Sequence, residues 1–378
     1  VIEGLIKEGH NVDFVFYNAN PDDIGKKINI KVNWISELKI KGIIFGKPCG
    51  GLKKIFNYVK LFFQINKMVK TILARNNYDF IYGHGSAADS LSKLCNNRNI
   101  PLGNRRYGDT HYNLIKLRGK AWANISQPLT YYSYRAKKDF MIATNDGSHS
   151  DKAMISVLKG KKAPYEYFYI MNGVDKQNIV EQAKLDCFIV PKQPYLLYVA
   201  RLSEWKRQDL AIDILKILKD EGVTINLILA GQKDSDSWYA KVMKKAEECG
   251  VLDQVQYLGI LNNIQISKLS EQATACLSLY DICNLGNVFL EYIIAGGLVI
   301  SRNDGSLDEL IINSVNGFLV NDMKQAAKIV LQLLNDKKYA QIIKQSTRIT
   351  ANEKIMSWEE RVAWEINLIK KSVNRSLK

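Results

Sequence analysis

Histidine is scarce, four in 378 residues, and none of the six cysteines stands in a C-x-x-C pair. A structural zinc site draws on clustered Cys and His, so none is expected. Scattered thiols (Cys49, Cys95, Cys187, Cys249, Cys276, Cys283), two of them in or beside an apolar run, fit a reducing compartment rather than a disulfide framework. No apolar run reaches the roughly 18–20 residues that span a bilayer. No G-x-G-x-x-G follows a strand, which disfavours a nicotinamide enzyme. Acids are also few: 38 Asp and Glu stand against 53 Lys and Arg, a net charge of +15. That excess draws the chain toward something anionic: a nucleic acid, a phosphate-bearing substrate or an acidic membrane surface.

What is present is apolar surface, 47% of residues, enough for a sizeable core. At roughly 100–200 residues per domain the length predicts two domains. The second half is the clearer. YLLYVA (195–200) reads as a buried strand. KRQDLAIDILKILKDEG follows as a helix with Leu210, Ile214, Leu215 and Leu218 on one face and Gly222 as its stop. INLILA, a charged helix over 237–249, VQYL, ACLSL, a helix from Asn287, LVIS and GFLV continue the alternation. Continuous apolar strands between helices are the pattern of a parallel sheet covered on both faces.

The first half repeats this less tidily. Strands are expected at 12–17, 79–82, 139–144 and 166–170, and helices at 52–74, 87–96 and 148–158. Residues 105–128 show no clean period and are expected to form a long loop with some helix. The sequence opens without Met on a helix-like stretch followed by the strand VDFVFY, with no secretory-signal pattern. An upstream strand is therefore expected to be missing. Asp175–Gln193, with Pro191, reads as the inter-domain connection, and SWEERVAWEI opens a terminal amphipathic helix with a basic tail.

Ligands of doubly wound sheets bind at the carboxyl ends of the strands. Arg201, Gly231, Gly259 and the 284–287 loop all follow strands. Arg201 offers a fork for phosphate oxygens and Lys206 a mobile point charge, a pair suited to a diphosphate. Asn284, Leu285, Gly286 and Asn287 precede a helix, whose unpaired first-turn N–H groups attract anions. Asn287 would equally serve as an ordinary N-cap. Glu291 is expected on the first helical turn, where the dipole favours a carboxylate.

YVARLSEWKRQDLAIDIL, LILAGQKDS, VQYLGIL, NLGNVFLEYIIAGGLVIS and GSLDELIINSVNGFLV together resemble, in order and spacing, the C-terminal domain of GT-B glycosyltransferases of family 4 (glycosyl transferases group 1). Each piece is weak; the ordered set over about residues 195–320 is specific. KEGHNVDFVF, DFIYGHG, IMNGVD and SWEERVAWEI extend the resemblance more loosely through the chain. It implies an α/β chain with two Rossmann-like domains whose parallel sheets face a central cleft. Residues 1–188 would be the acceptor-side domain, 189–355 the nucleotide-sugar domain, and 356–378 a helix returning to the first.

The resemblance also implies roles. Arg201 and Lys206 would bind and stabilise the donor's diphosphate, the backbone of Gly286–Val288 its distal phosphate and sugar, and Glu291 the ribose hydroxyls. Asn284, Leu285 and Asn287 belong to the same loop. Ile260 would frame the base, and Gly231 would let the donor approach. On the acceptor side stand His84, Arg105, Arg106 and Asn172, with His111 as a further catalytic candidate. Three departures stand out. Cys283 occupies the place of an acid that contacts the donor sugar, for which Asp281 or Asn284 would substitute. The first strand with its Gly-rich loop is absent. Tyr107, with His111 four residues on, stands where the family has a His.

The implied reaction is retaining transfer of a sugar from a UDP- or GDP-sugar to a hydroxyl of a sugar or lipid-linked acceptor, in bacterial cell-surface polysaccharide or glycolipid synthesis. It would need no cofactor and no metal, because positive side chains meet the departing diphosphate. The D-S-D at 234–236 reads as a helix cap, not a metal motif. Other readings stay open: a different GT-B sugar-nucleotide enzyme such as an epimerase, or a basic nucleic-acid-binding protein, although the aromatics sit mostly in apolar runs. Residues 52–75 combine an apolar stripe with Lys53, Lys54, Lys60, Lys67, Lys70 and Arg75. That composition suits either a core helix with a solvated basic face or peripheral contact with an anionic membrane. A cytoplasmic protein, peripheral on the inner face of the plasma membrane, would follow from the second.

Overall fold

The computed structural model of the chain describes residues 1–17, 33–38, 52–175, 189–281 and 285–376. Two compact units emerge: Val1–Ile170 with Glu359–Lys378, and Met171–Trp358. The division falls after Ile170, so Asn172 belongs to the second unit. Most of the stretch read as the connection, 176–188, lies outside the described residues.

The first unit starts with α1 (Ile2–Lys7), β1 (Asp13–Tyr17), β2 (Asn33–Leu38) and the long helix α2 (Leu52–Ile72). It continues through β3 (Ile81–His84), a 3-10 turn at Ser86–Leu91, α3 (Ser92–Asn97) and β4 (Leu102–Arg106). Then come α4 (His111–Arg118), α5 (Lys120–Ser126), α6 (Pro128–Arg135), β5 (Phe140–Thr144), α7 (Ser150–Leu158) and β6 (Glu166–Ile170). β1 and β2 form a two-stranded parallel sheet, and β3-β4-β5-β6 a four-stranded parallel one.

Two features of this unit differ from the sequence expectation. Residues 111–126 are helical, broken at Gly119 (φ +82°), rather than a loop. α4 and α5 are too short for a 3.6-residue period to show. β4 is a buried strand written in polar letters, LGNRR. Its burial is possible because each polar side chain finds a partner. Asn104 donates to the Gly85 carbonyl at 2.9 Å, Arg105 pairs with Glu365 at 2.9 Å, and Arg106 pairs with Asp109 at 2.9 Å. Gly103 is obligatory for a different reason: a Cβ there would lie 2.3 Å from the Phe140 ring.

The second unit carries β7 (Tyr195–Val199), α8 (Gln208–Asp220), β8 (Asn226–Ala230), α9 (Asp236–Glu248), β9 (Val255–Tyr257) and α10 (Asn263–Gln272). β10 (Ala275–Ser278), α11 (Asn287–Ile294), β11 (Val299–Arg302), β12 (Phe318–Val320), α12 (Met323–Asn335) and α13 (Lys337–Lys354) complete it. The six strands are parallel in the order β12-β11-β10-β7-β8-β9. The winding therefore reverses between β7 and β10, and such a switch point opens a crevice at the strand ends.

The apolar runs do what their composition predicts. Every residue of β7 is buried, and Ile214, Leu215 and Leu218 of α8 are fully covered. Each such aliphatic side chain stabilises the fold by roughly 1.5–3 kcal/mol relative to exposure. Local caps fix where the helices begin. Asn262 and Gln265 form a reciprocal capping box on α10, and Asp322 accepts from the Gln325 amide at 2.8 Å at the head of α12. Ser235 caps α9 by accepting from the Trp238 amide, so the D-S-D stretch is indeed a helix start.

The terminal helix α14 (Trp358–Ser376) packs from Glu359 onward with the first unit. Ile369 joins Phe140 and Ile142, and Trp364 meets Phe168 edge-on at 5.0 Å.

Candidate functional site

In the second unit the crevice between β7 and β10 is built by three tyrosines. Tyr198, buried in β7, donates to the Lys206 carbonyl and accepts from the Leu279 amide at 3.2 Å. It thereby joins the turn carrying Lys206 to the end of β10. Tyr292 of α11 accepts from the Val199 amide at 2.6 Å, anchoring that helix against β7. Tyr280 lies under Lys206, whose Nζ sits 3.4 Å from its ring centroid and 3.9 Å from that of Trp205. The ammonium is thus held by two aromatic faces at the strand ends.

Arg201 follows β7 and is 59% exposed, and among the described residues it pairs with Asp234 at 3.5 Å. An exposed pair of this kind contributes about 0–1 kcal/mol, so an anionic ligand can displace it. The Arg201 backbone is firmer: its carbonyl accepts from Gln208 at 2.9 Å, and Gln208 in turn accepts from Trp238.

Gly231 ends β8 with φ +128°, and a Cβ there would sit 2.0 Å from the Ala200 carbonyl oxygen. Close approach of the protein's own strand ends already demands glycine here. Its N–H donates to the Gly259 carbonyl at 2.7 Å, and Ile260, just beyond, is 74% exposed.

Helix α11 starts one residue earlier than the N-cap reading of Asn287 requires. Gly286 is the N-cap and Asn287 the first helical residue. Asn287 Oδ1 accepts from Asn172 Nδ2 at 3.0 Å, which brings the N-G-V-D segment to this helix end. Leu285 is fully buried and Val288 half-buried. Cys283 and Asn284 lie outside the described residues. Asp281, weighed as a replacement acid, is engaged by Arg207 at 3.0 Å and Arg302 at 3.2 Å.

Glu291 stands a full turn inside α11, and the first turn holds no acid, which corrects its expected place. Its Oε2 is buried and has no hydrogen-bond partner among the described residues. Burial, and after it the negative charge of Asp175, push its carboxyl up to about 7. An orphaned, half-desolvated carboxylate is costly to the fold unless a ligand completes it.

The first unit presents a separate cluster where β3 and β4 end. His84 Nδ1 lies 2.9 Å from the Tyr107 hydroxyl, with the two rings stacked. Withdrawal from water, then the Arg105 guanidinium, hold the imidazole below its usual value. Both side chains line a cavity of about 780 Å³, walled by α2 residues such as Ile65 and Val69. Arg105 and Arg106 do not reach solvent: they are buried in the pairs with Glu365 and Asp109. His111 is fully buried, with its ring nitrogens 3.0 Å from Gln127 Oε1 and 3.1 Å from Asn124 Oδ1. Sequence reasoning noted Tyr107 but preferred His111; only the strand-end position of Tyr107 would have ranked it higher.

Residues 182–350 match the family described as Glycosyl transferases group 1. The trehalose synthase of Thermococcus litoralis is 24% identical over 156 residues, 40% of this chain and 38% of that protein. The chain thus spans about two fifths of the length of the curated relatives it matches. Among solved structures, sucrose-phosphate synthase from Thermosynechococcus elongatus superposes with a TM-score of 0.70 at 16% identity, covering 99% of this chain and 92% of that one. Anabaena HepE in complex with UDP gives 0.62 at 19% identity, covering 80% and 82%. The chain therefore has the GT-B glycosyltransferase fold, and the greater part of its second unit matches glycosyl transferases group 1.

Proposed function

We propose that the protein is a retaining glycosyltransferase of the family 4 type, which moves a sugar from a nucleoside diphosphate donor to a hydroxyl. The carrying observation is Glu291, whose buried Oε2 lacks a partner among the described residues, one turn inside the helix capped by Gly286. Two vicinal ribose hydroxyls would supply the missing hydrogen bonds. The first-turn N–H groups of α11 would take the distal phosphate. Arg201 and Lys206 would meet the negative charge that grows on the diphosphate as its bond to the anomeric carbon breaks. The acceptor oxygen then bonds to that carbon and its proton passes to the released diphosphate. No cofactor or metal enters this scheme, since side chains and the helix end carry the positive field.

HepE was solved with UDP and with UDP-glucose, which favours a UDP-sugar as donor. His84 and Tyr107 are the groups of the first unit best disposed to meet an acceptor hydroxyl. The acceptor is a sugar or lipid-linked hydroxyl of a cell-surface polysaccharide or glycolipid. The protein works in the cytoplasm, against the anionic inner face of the plasma membrane.

Thermal unfolding with a panel of UDP- and GDP-sugars tests the donor half. Stabilisation by the matching nucleotide is expected, and its loss in Arg201→Ala and Glu291→Ala. Variants that bind as well as the parent would overturn the site.

A further inference from the structure

The 3-10 turn Glu204–Lys206 is tied to the end of β10 along its length. The Asp281 amide donates to the Trp205 carbonyl at 3.0 Å, and Tyr198 donates to the Lys206 carbonyl. Arg207, next in the chain, takes the left-handed conformation with φ +51°, which is uncommon for a residue with a Cβ. Asp209 at 2.9 Å and Asp281 at 3.0 Å hold its guanidinium there. The chain thereby turns the side chains of Trp205 and Lys206 toward Tyr280.

The Lys206 ammonium ends up against two rings, 3.4 Å from the Tyr280 centroid and 3.9 Å from that of Trp205. The ring centroids are 6.0 Å apart, with the planes at 60°. The two rings are held unequally. Tyr280 is 4% exposed and donates its hydroxyl to the Val199 carbonyl at 3.4 Å, so it belongs to the packed sheet. Trp205 is 37% exposed and stands on the turn itself.

A carboxylate beside an ammonium neutralises it. An aromatic face attracts the ammonium through the ring quadrupole and leaves its charge available to a second anion. A mobile lysine also loses much rotamer freedom when it grips a phosphate. One already ordered against two rings has lost that freedom before the ligand arrives.

We infer that Trp205 is a positioning residue of the donor site: with Tyr280 beneath, its indole holds the Lys206 ammonium charged and ordered for the donor's diphosphate. Trp205 acts through Lys206 and does not itself meet the reacting atoms. The inference rests on the proposed role of Lys206 and adds the group that prepares it.

Titration calorimetry of the full chain with UDP and GDP, each beside its nucleoside, tests this. Trp205→Leu should weaken the bound diphosphate about fivefold to tenfold, with nucleoside affinity and the unfolding midpoint unchanged. Trp205→Phe keeps an aromatic face and should lose only about twofold. A merely structural tryptophan would lower the midpoint, or weaken nucleoside and diphosphate alike. The decisive arm is a cycle with Lys206→Ala: once the ammonium is gone, Trp205→Leu should weaken the diphosphate no further. If Trp205→Leu disturbs folding, Trp205→Phe carries the same cycle. Additive losses, unchanged diphosphate affinity in Trp205→Leu, or equal losses for nucleoside and diphosphate would overturn the inference and leave the donor site standing. A parent that binds neither diphosphate, or a Lys206→Ala variant that binds like the parent, would overturn both.

Discussion

Asn172 donates its side-chain amide to Oδ1 of Asn287 across 3.0 Å, joining two residues 115 positions apart. The bond fixes the N-G-V-D turn against the first residue of α11. Gly173 sharpens the fit, since a Cβ there would lie 2.8 Å from the Trp358 Cα. The same turn carries Asp175, whose charge Glu291 feels.

Asn172→Ala should therefore act on the donor more than on the fold. A neutral, exposed hydrogen bond contributes about 0.5–1.5 kcal/mol, so stability should change little. Nucleotide affinity should fall about threefold to tenfold as the helix end loses its brace. Titration calorimetry against UDP, beside an unfolding curve, separates the two effects.

Glu291 gives a pH signature. Its carboxyl titrates near 7 in the folded chain against an ordinary 4.5, so the folded state holds the extra proton between those values. Stability from this group is present at low pH and is lost as pH rises through about 4.5–7. Glu291→Gln should remove that slope and raise the unfolding midpoint relative to the parent at pH 8, by about 2–4 °C, but hardly at pH 4. Gripping hydroxyls as an acceptor needs the ionised form, so parent affinity for UDP should weaken below pH 7. A midpoint difference independent of pH would refute the assignment.

Arg201→Ala removes an exposed pair, so its unfolding midpoint should match the parent's within error. Loss of a charge-assisted bond to phosphate should weaken UDP binding about tenfold to hundredfold. The discrimination lies in the combination: intact stability with lost affinity.

Glu365 sits between Arg105 at 2.9 Å and Arg361 at 2.6 Å, and accepts from Tyr82 at 2.6 Å. Glu365→Ala would leave two buried guanidinium groups facing each other. Removing one partner from such a site costs about 3–5 kcal/mol. Denaturant titration should show that loss, together with release of α14 from the first unit as increased amide exchange.

His111 and Tyr107 should behave as opposites. His111→Ala strands the side-chain amides of Asn124 and Gln127 and should cost about 1–3 kcal/mol. Tyr107→Phe, at an exposed ring, should change stability by less than about 0.5 kcal/mol. If Tyr107 meets the acceptor, its removal should raise the acceptor KM and leave the donor KM unchanged; equal effects on both would count against that role.

The alternation of strands and helices in the second unit was legible because continuous apolar runs and stop residues such as Gly222 act locally. The same is true of Arg201, Lys206 and the Asn/Gly run before α11, which fall at strand ends whatever the tertiary details. Other features depend on partners distant in sequence. β4 is a strand because Glu365, Asp109 and the Gly85 carbonyl neutralise its polar side chains, and nothing within LGNRR announces them. His111 is buried and Tyr107 exposed although both stand in the same stretch, because α4 turns one inward. The order β12-β11-β10-β7-β8-β9 sets the switch point, and the crevice leaves one oxygen of Glu291 without a partner among the described residues. Sequence thus determined which residues could form strands and which chemistry they could carry; tertiary structure decided which of those groups are neutralised and which remain open, because burial and pairing are properties of the packed chain.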